Sequence, residues 1–142
     1  WWGRGWRRRS WGRGGEPMSE GFLGERTLMR VFLGERDRVR SGLHRGRPVW
    51  EAILLTLREE GCAGATVTRA VAGFGASATL HSDKVLRLSS DLPMVVEAVD
   101  TEETLRALLP RIDELMGGGL ITLERARVVL HRAAEREGEA DG

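Results

Sequence analysis

The residues of this chain whose types and spacing could support chemistry lie mostly between positions 62 and 87. His81 and Asp83 are two residues apart, so a carboxylate could orient an imidazole there as a general base. With Cys62, the same pair could contribute to a divalent-metal site in an oligomer of the ion-tolerance type. Because no third ligand stands at metal-binding spacing, we expect His81 and Asp83 to be solvated loop residues.

The amino acids that are missing narrow the class of protein further. The chain contains no Asn, Gln or Tyr, and a small βαββαβ enzyme of the acylphosphatase type needs an Asn to place its attacking water. No carboxylate pair, Ser–His–Asp order or zinc-ligand spacing stands out in the sequence. The sequence therefore predicts a protein that is not an enzyme and holds no metal.

Two glycine motifs are better candidates for binding a ligand. Gly117-Gly118-Gly119 follows an expected helix. Consecutive backbone N–H groups there can hold a phosphate, although a helix C-cap followed by a turn gives the same pattern. Gly73-Phe74-Gly75 opens a connection that extends to Asp91, and loops longer than about 12–15 residues are usually functional or disordered. The residues of this loop that we expect to contact a target are Ser77, His81, Asp83 and Arg87.

The first 17 residues differ in charge from the rest of the chain. The whole chain of 142 residues has a net charge of +1, whereas residues 1–17, which we call the leader, hold five arginines and one glutamate and so have a charge of 5 − 1 = +4. Trp, Gly and Arg, all encoded by G-rich codons, dominate this leader, and Met18 follows it directly. We therefore interpret residues 1–17 as an upstream translation and predict no nucleic-acid partner. The predicted organisation is a disordered leader over residues 1–24, one domain over residues 25–132 and a disordered, charged tail over residues 133–142.

Cysteine content and hydropathy bear on the compartment. Cys62 is the single cysteine, which excludes an internal disulfide framework and suits a reducing environment. No apolar run approaches the roughly 18 residues that a membrane span requires. We therefore expect a cytoplasmic protein.

Hydrophobic periodicity predicts four strands and two helices in the order βαββαβ. The strands are predicted at Thr27–Leu33, Ala65–Val71, Met94–Val99 and Ala126–His131. The first helix is expected to begin at Pro48 and to end before Gly61, a favourable C′ residue. The second is expected to begin with a capping box formed by Asp100 and Glu103 and to contain Pro110.

This order of elements predicts an α+β, ferredoxin-like fold with one antiparallel sheet and both helices on one face. Alternation along the first strand places Met29, Val31 and Leu33 on one side and Leu28 and Phe32 on the other. The second side is also expected to carry several of Val95, Val99, Val128 and Leu130. An apolar sheet face of that extent is expected to be covered by closed, symmetric association of subunits.

Several short motifs are specific when they are taken together. They are Arg30–Glu35 (RVFLGE), Gly46–Pro48 (GRP), Gly61–Thr66 (GCAGAT), Gly73–Ser77 (GFGAS), His81, Leu86–Ser89 (LRLS), Asp91–Pro93 (DLP) and Gly119–Leu123 (GLITL). The stretch that contains this set runs from Arg30 to about His131, about three quarters of the chain, and it resembles the PII-like family catalogued as domain of unknown function 190.

The resemblance implies a relative of PII signalling proteins. Such a relative would be a non-catalytic homotrimer that binds a small ligand, such as an adenine nucleotide, in clefts between subunits. The 73–91 loop would then modulate a target protein, and a membrane transporter or channel is the target that the resemblance suggests. The ligand-binding residues that it implies are Gly64, Ala65, Thr66, Gly73, Phe74, Gly75, Gly117, Gly118, Gly119, Arg125 and Arg127.

Overall fold

The computed structural model of the protein describes residues 22–75 and 91–132. Its elements are β1 (Gly24–Gly34), α1 (Val49–Glu59), β2 (Ala65–Arg69), β3 (Pro93–Asp100), α2 (Glu102–Leu115) and β4 (Leu120–Val128). The four strands form one sheet in the order β2-β3-β1-β4, and all three pairings are antiparallel. The predicted α+β, ferredoxin-like order of elements is therefore confirmed.

The hydrophobic core lies between one face of the sheet and the two helices. Alternate residues of β1 (Met29, Val31 and Leu33) and of β3 (Met94, Val96 and Ala98) are buried against the helices. The apolar stripe of α1 contributes Val49, Ala52, Ile53 and Leu57, and that of α2 contributes Leu105, Leu108 and Ile112. Because the strand period of two and the helix period of 3.6 both direct their apolar positions to the same side, one layer of helices covers one face of the sheet.

The first helix ends as its sequence predicts. Gly61 has φ +74°, a conformation that side-chain-bearing residues rarely adopt. The N–H of Gly61 donates to the carbonyl of Arg58, and the N–H of Cys62 donates to that of Leu57. These two bonds form a Schellman motif, which satisfies the last carbonyls of α1 and turns the chain into β2.

The second helix begins differently from the prediction. Its N-cap is Thr101, whose hydroxyl oxygen accepts a hydrogen bond from the N–H of Thr104 at 3.2 Å. Asp100 is instead the last residue of β3 and is 3% exposed. The predicted capping box of Asp100 and Glu103 is therefore wrong by one residue, because the Asp100 carboxylate accepts hydrogen bonds from the N–H groups of Ala63 (2.9 Å) and Thr101 (2.7 Å).

The last strand lies earlier in the chain than predicted. The sequence indicated residues 126–131, whereas β4 runs from Leu120 to Val128. Its register with β1 pairs Leu120 with Phe32 and Val128 with Gly24, so that Ile121 and Leu123 pack against the core. The apolar run after Val128 suggested a strand, but Val129 and Leu130 are 81% and 62% exposed.

The two described helices are short. They span 11 and 14 residues, whereas a membrane-crossing helix needs about 20 apolar residues. Within residues 22–75 and 91–132, no helix is long and apolar enough to cross a bilayer.

Candidate ligand-binding site

Three of the connections between elements leave one end of the sheet, which we call the loop end. The register pairs Gly34 with Pro93, Arg69 with Met94, and Phe32 with Leu120. The carboxyl ends of β1 and β2 and the amino ends of β3 and β4 therefore lie together there. The segment that leads into α1, the 70–92 connection and the glycine turn before β4 all start or finish at this end. Their proximity makes the loop end the first candidate for a binding site.

The three glycines before β4 have different roles in the structure. Gly119 has φ +130°, and a Cβ built on it would lie 2.4 Å from the carbonyl oxygen of Phe32. Only glycine fits there, so Gly119 is required by the fold. Gly117 and Gly118 are exposed, and a Cβ on Gly118 would meet nothing within 4 Å. Among the hydrogen bonds of the described residues, none uses the N–H of Gly117 or Gly118 as a donor. These two N–H groups are therefore accessible to a ligand.

An arginine from a distant part of the sequence, Arg40, lies beside this turn. The guanidinium of Arg40 is 3.5 Å from the position that a Cβ on Gly117 would occupy. Arg40 is not among the ligand-binding residues predicted from the sequence. The only available signal was the high arginine content of residues 36–47, which does not indicate the arginine that reaches Gly117.

The position of Arg40 is fixed by the segment between β1 and α1. Val39, next to it, is 2% exposed and forms part of the core. The N–H of Val39 donates to the carbonyl of Arg47 (3.0 Å), and the N–H of Gly46 donates to the carbonyl of Val39 (2.8 Å). Because these bonds close the segment into a compact loop, Arg40 is held at the surface on the side facing α2 and β4.

The returning end of the 70–92 connection, at Asp91 and Leu92, is also held in place. The carboxylate of Asp91 accepts a hydrogen bond from the N–H of Arg36 (3.0 Å), and the N–H of Glu35 donates to the carbonyl of Leu92 (2.9 Å). Glu35 is also paired with Arg69, whose Nε lies 3.3 Å from Oε2 of Glu35. The connection therefore re-enters the sheet through a fixed contact with the residues that follow β1.

The glycine motif at the start of this connection lies at the loop end, as a site there would require. A Cβ on Gly73 would lie 2.8 Å from Cγ of Pro93, which explains the need for a small residue at this position. Phe74 is 72% exposed, and a Cβ on Gly75 would meet nothing within 4 Å. The predicted target-contacting residues Ser77, His81, Asp83 and Arg87 lie outside the described residues.

The remaining predicted ligand residues lie away from the loop end. Gly64, Ala65 and Thr66 are at the start of β2, where Ala65 pairs with Ala98 of β3. Arg125 and Arg127 are near the far end of β4, where they pair with Thr27 and Glu25. Within one chain, the structure therefore does not bring all of the predicted ligand residues together.

Arg125 and Arg127 do help to line a depression at the far end of the sheet. This depression has a volume of about 480 Å³, and Gly24, Glu25 and Ala126 complete its lining. Nε of Arg125 lies 3.6 Å from Oε1 of Glu25, and these two side chains are 92% and 72% exposed. An ion pair that exposed is weak, so Arg125 remains accessible to an anionic ligand. Arg127 is exposed as well.

A third feature lies on the face of the sheet that points away from the helices, which we call the open face. Arg30, at the centre of β1, donates from Nε to Glu97 of β3 (2.9 Å) and from Nη1 to Glu124 of β4 (2.7 Å). The hydrogen bond to Glu97 is the main reason that the pKa of Arg30 is raised, so the guanidinium remains charged. We call these three residues the Arg30 cluster.

The metal-site alternative gains no support from the described residues. Of the three candidate ligands, His81 and Asp83 lie outside them, and Cys62 is half-buried just after the end of α1. Across residues 22–75 and 91–132, no group of three or more His, Cys, Asp or Glu side chains is arranged to hold a metal ion.

Comparison with known proteins places the chain in a family. Residues 26–128 match domain of unknown function 190, a family described as uncharacterized ACR. The chain is 36% identical over 107 residues to a UPF0166 protein of Aquifex aeolicus, a match that covers 74% of this chain and 94% of the relative. It is 31% identical over 102 residues to a UPF0166 protein of Methanocaldococcus jannaschii, covering 71% and 89% of the two chains.

A solved structure is also similar, with a lower sequence identity than these two relatives. It is a protein of Thermus thermophilus described as a candidate PII-like signaling protein, with 18% identity and a TM-score of 0.46, covering 76% of this chain and 93% of that one. The family match over residues 26–128 and the identity to the Aquifex protein show that the chain belongs to the family of domain of unknown function 190.

Proposed function

We propose that this protein is a PII-like, non-catalytic regulator that binds a small anionic ligand, with adenine nucleotides as the first candidates. The ligand lies in clefts between the subunits of a homotrimer in the cytoplasm. Its binding changes how the 73–91 loop docks on a target protein, for which a membrane transporter or channel is the candidate that the family resemblance suggests. The switch works by differential affinity of the ligand for the docked and undocked loop.

The observation that carries this proposal is the convergence at the loop end. The accessible N–H groups of Gly117 and Gly118, the guanidinium of Arg40 and the fixed base of the 76–90 connection all lie there. N–H groups and guanidinium groups donate hydrogen bonds to phosphate oxygens, and neither takes up a proton near neutral pH. The arrangement therefore favours anion binding over proton-transfer chemistry.

The proposed position of the ligand gives it access to the loop. A phosphate bound between Arg40 and the glycine turn would lie at the loop end, on the side of the sheet formed by β1 and β4. Asp91, the first described residue after the 76–90 connection, lies beside Gly34 and Arg36 at the end of β1. A nucleotide that extends from the phosphate position toward Asp91 would therefore reach the returning end of the 73–91 loop without a change in the sheet. The mechanism then needs only two arrangements of the loop with different affinities for the ligand.

Calorimetric titration tests the proposal. We expect ATP, ADP, AMP or cyclic AMP to bind the full chain with a dissociation constant below about 1 mM, which corresponds to roughly −4 kcal/mol. The variant R40A should bind at least about tenfold more weakly, because it removes a charge-assisted hydrogen bond. R45A is the matched control, since Arg45 is an exposed arginine of the same loop. The absence of binding by all four nucleotides would refute the nucleotide proposal, and equal effects of R40A and R45A would refute the assigned position.

A further inference from the structure

The segment between β1 and α1, residues 35–48, is cationic, and we call it the arginine loop. It holds two carboxylates and five arginines, so its charge is 5 − 2 = +3. Oδ2 of Asp37 accepts a hydrogen bond from the N–H of Gly34 (2.8 Å), and Glu35 is paired with Arg69 of β2. The two carboxylates therefore do not pair with the arginines of the loop.

Three arginines of this loop carry their charge at the surface. Arg38, Arg40 and Arg45 are all exposed. Nη1 of Arg38 donates to the backbone carbonyls of Glu35 (3.2 Å) and Asp37 (3.3 Å). Within residues 22–75 and 91–132, none of the three arginines forms an ion pair with a carboxylate. Their charges are therefore available to an anionic partner.

The apex of the arginine loop is an apolar side chain. Leu43 is 95% exposed, and the N–H of Arg45 donates to the carbonyl of Gly42 (3.2 Å) across the turn that presents it. The base of the loop is fixed by Val39, which is buried in the core. A single exposed leucine is ordinary on a protein surface. Leu43 differs because a fixed turn projects it from among arginines that have no carboxylate partner.

Two further apolar side chains protrude at the loop end. Val71 and Phe74, which follow β2, are 86% and 72% exposed. A side chain that lines a groove is covered on several sides, so side chains this exposed project into solvent instead. The loop end therefore combines projecting apolar side chains with accessible cations.

We propose that the loop end docks reversibly on an anionic lipid bilayer. Leu43 enters the interfacial region, and Arg38 and Arg45 bind lipid phosphate groups, to which guanidinium groups donate paired hydrogen bonds. An anionic membrane surface attracts clusters of arginine, and the burial of apolar side chains among the headgroups adds to that attraction. This inference goes beyond the proposed function, because it requires neither a nucleotide nor a target protein.

The exposure of the apolar residues favours a bilayer over an acidic protein segment as the partner. The interface of a bilayer takes in protruding side chains at any position, because its lipids rearrange around them. A folded protein needs a separate pocket for each side chain, and Leu43 and Val71 belong to different connections. An acidic peptide would pair with the arginines but would leave these apolar side chains in water.

Flotation of the full chain with lipid vesicles tests the inference. We expect binding to vesicles of phosphatidylcholine and phosphatidylglycerol in a roughly two-to-one ratio, and little binding to phosphatidylcholine alone. Binding should weaken when NaCl is raised from about 0.1 M to about 0.5 M, because salt screens the attraction. L43E removes the apolar contact and adds a repelled charge, and R45E reverses one of the cations. Each should lower the partition coefficient by about tenfold or more.

Two control variants separate the arginine loop from the overall charge of the chain. R58E makes the same charge change as R45E at an exposed arginine in the last turn of α1, away from the loop end, and should bind as the wild type does. L43M keeps an apolar side chain at the apex and should also retain binding. Circular dichroism checks that each variant folds. L43E and R45E should leave nucleotide affinity unchanged, because neither residue is assigned to the ligand.

The outcomes that contradict the inference are distinct. Equal binding to the two kinds of vesicle, or equal partition coefficients for R45E and R58E, would overturn it. A loss in R45E without a loss in L43E would show adsorption by charge alone and would overturn the role of Leu43. Capture of poly-L-glutamate without binding to vesicles would overturn it in favour of an acidic protein segment. Calorimetry measures nucleotide binding separately, so none of these results decides the proposed function.

Discussion

Replacing Gly119 with alanine is the perturbation for which the structure predicts the largest effect at the candidate site. Two contributions add. The backbone at φ +130° is strained for any residue with a side chain, by about 1–3 kcal/mol. The new Cβ would lie 2.4 Å from the carbonyl oxygen of Phe32, so the turn must also move away from β1. That movement weakens at least one hydrogen bond between β1 and β4, which contributes about 1 kcal/mol. We expect G119A to reduce the free energy of unfolding by about 2–4 kcal/mol.

Urea unfolding followed by circular dichroism measures this effect at a fixed protein concentration. With an m value of about 1–3 kcal/mol/M, G119A should lower the unfolding midpoint by roughly 1–2 M. G118A is the matched control, because a Cβ there meets nothing within 4 Å and Gly118 does not have a positive φ. It should leave the midpoint within about 0.3 M of the wild type. Equal stabilities of G119A and G118A would refute the claim that the fold requires Gly119.

Three other substitutions test the packing that positions the site. D100A should destabilise the protein by about 1–3 kcal/mol in urea unfolding, because it leaves the N–H groups of Ala63 and Thr101 without their acceptor. D113A is the control, because Asp113 is an exposed acidic residue. L105A opens a cavity at a fully buried position and should lower the free energy of unfolding by about 2–5 kcal/mol, measured by thermal unfolding. A loss below about 1 kcal/mol would contradict the placement of Leu105 in the hydrophobic core. T101A removes the N-cap of α2 and should reduce stability by about 1 kcal/mol, whereas T101S should retain most of it in the same measurement.

The sequence was sufficient to predict the type and order of the elements because each has a clear period. The alternation in β1 and β3 and the apolar stripes of the helices are local patterns, and all of them agree with the observed core. Gly61 was correctly predicted as the end of α1 because the αL conformation has a strong preference for glycine. The position of β4 was predicted wrongly because residues 128–130 are more apolar than residues 120–123. The strand is formed by the earlier segment, residues 120–128, because that segment pairs in register with β1, and this long-range pairing is not visible in the local sequence.

The candidate site was only partly predictable for the same reason. The glycine run was visible in the sequence, but its division into one structural glycine and two accessible ones depends on the carbonyl of Phe32, 87 positions earlier (119 − 32 = 87). The contact between Arg40 and Gly117 also joins distant parts of the chain, and several arginines compete for that role in the sequence. The Arg30 cluster depends on two strand registers at once. Chemistry that arises from local spacing can be predicted from sequence, whereas chemistry that arises from register cannot.

The separation of the predicted ligand residues bears directly on the number of subunits that a site requires. Gly118 and Arg127 are nine positions apart along or next to an extended strand, which corresponds to about 30 Å. The glycine turn and Gly73 are at opposite edges of the four-stranded sheet, about 14 Å apart. One small ligand cannot contact the loop end and the far end of the same sheet at once. If the glycine turn and the two distal arginines act on the same ligand, they must come from different subunits, and the assembly of subunits is then a condition for binding.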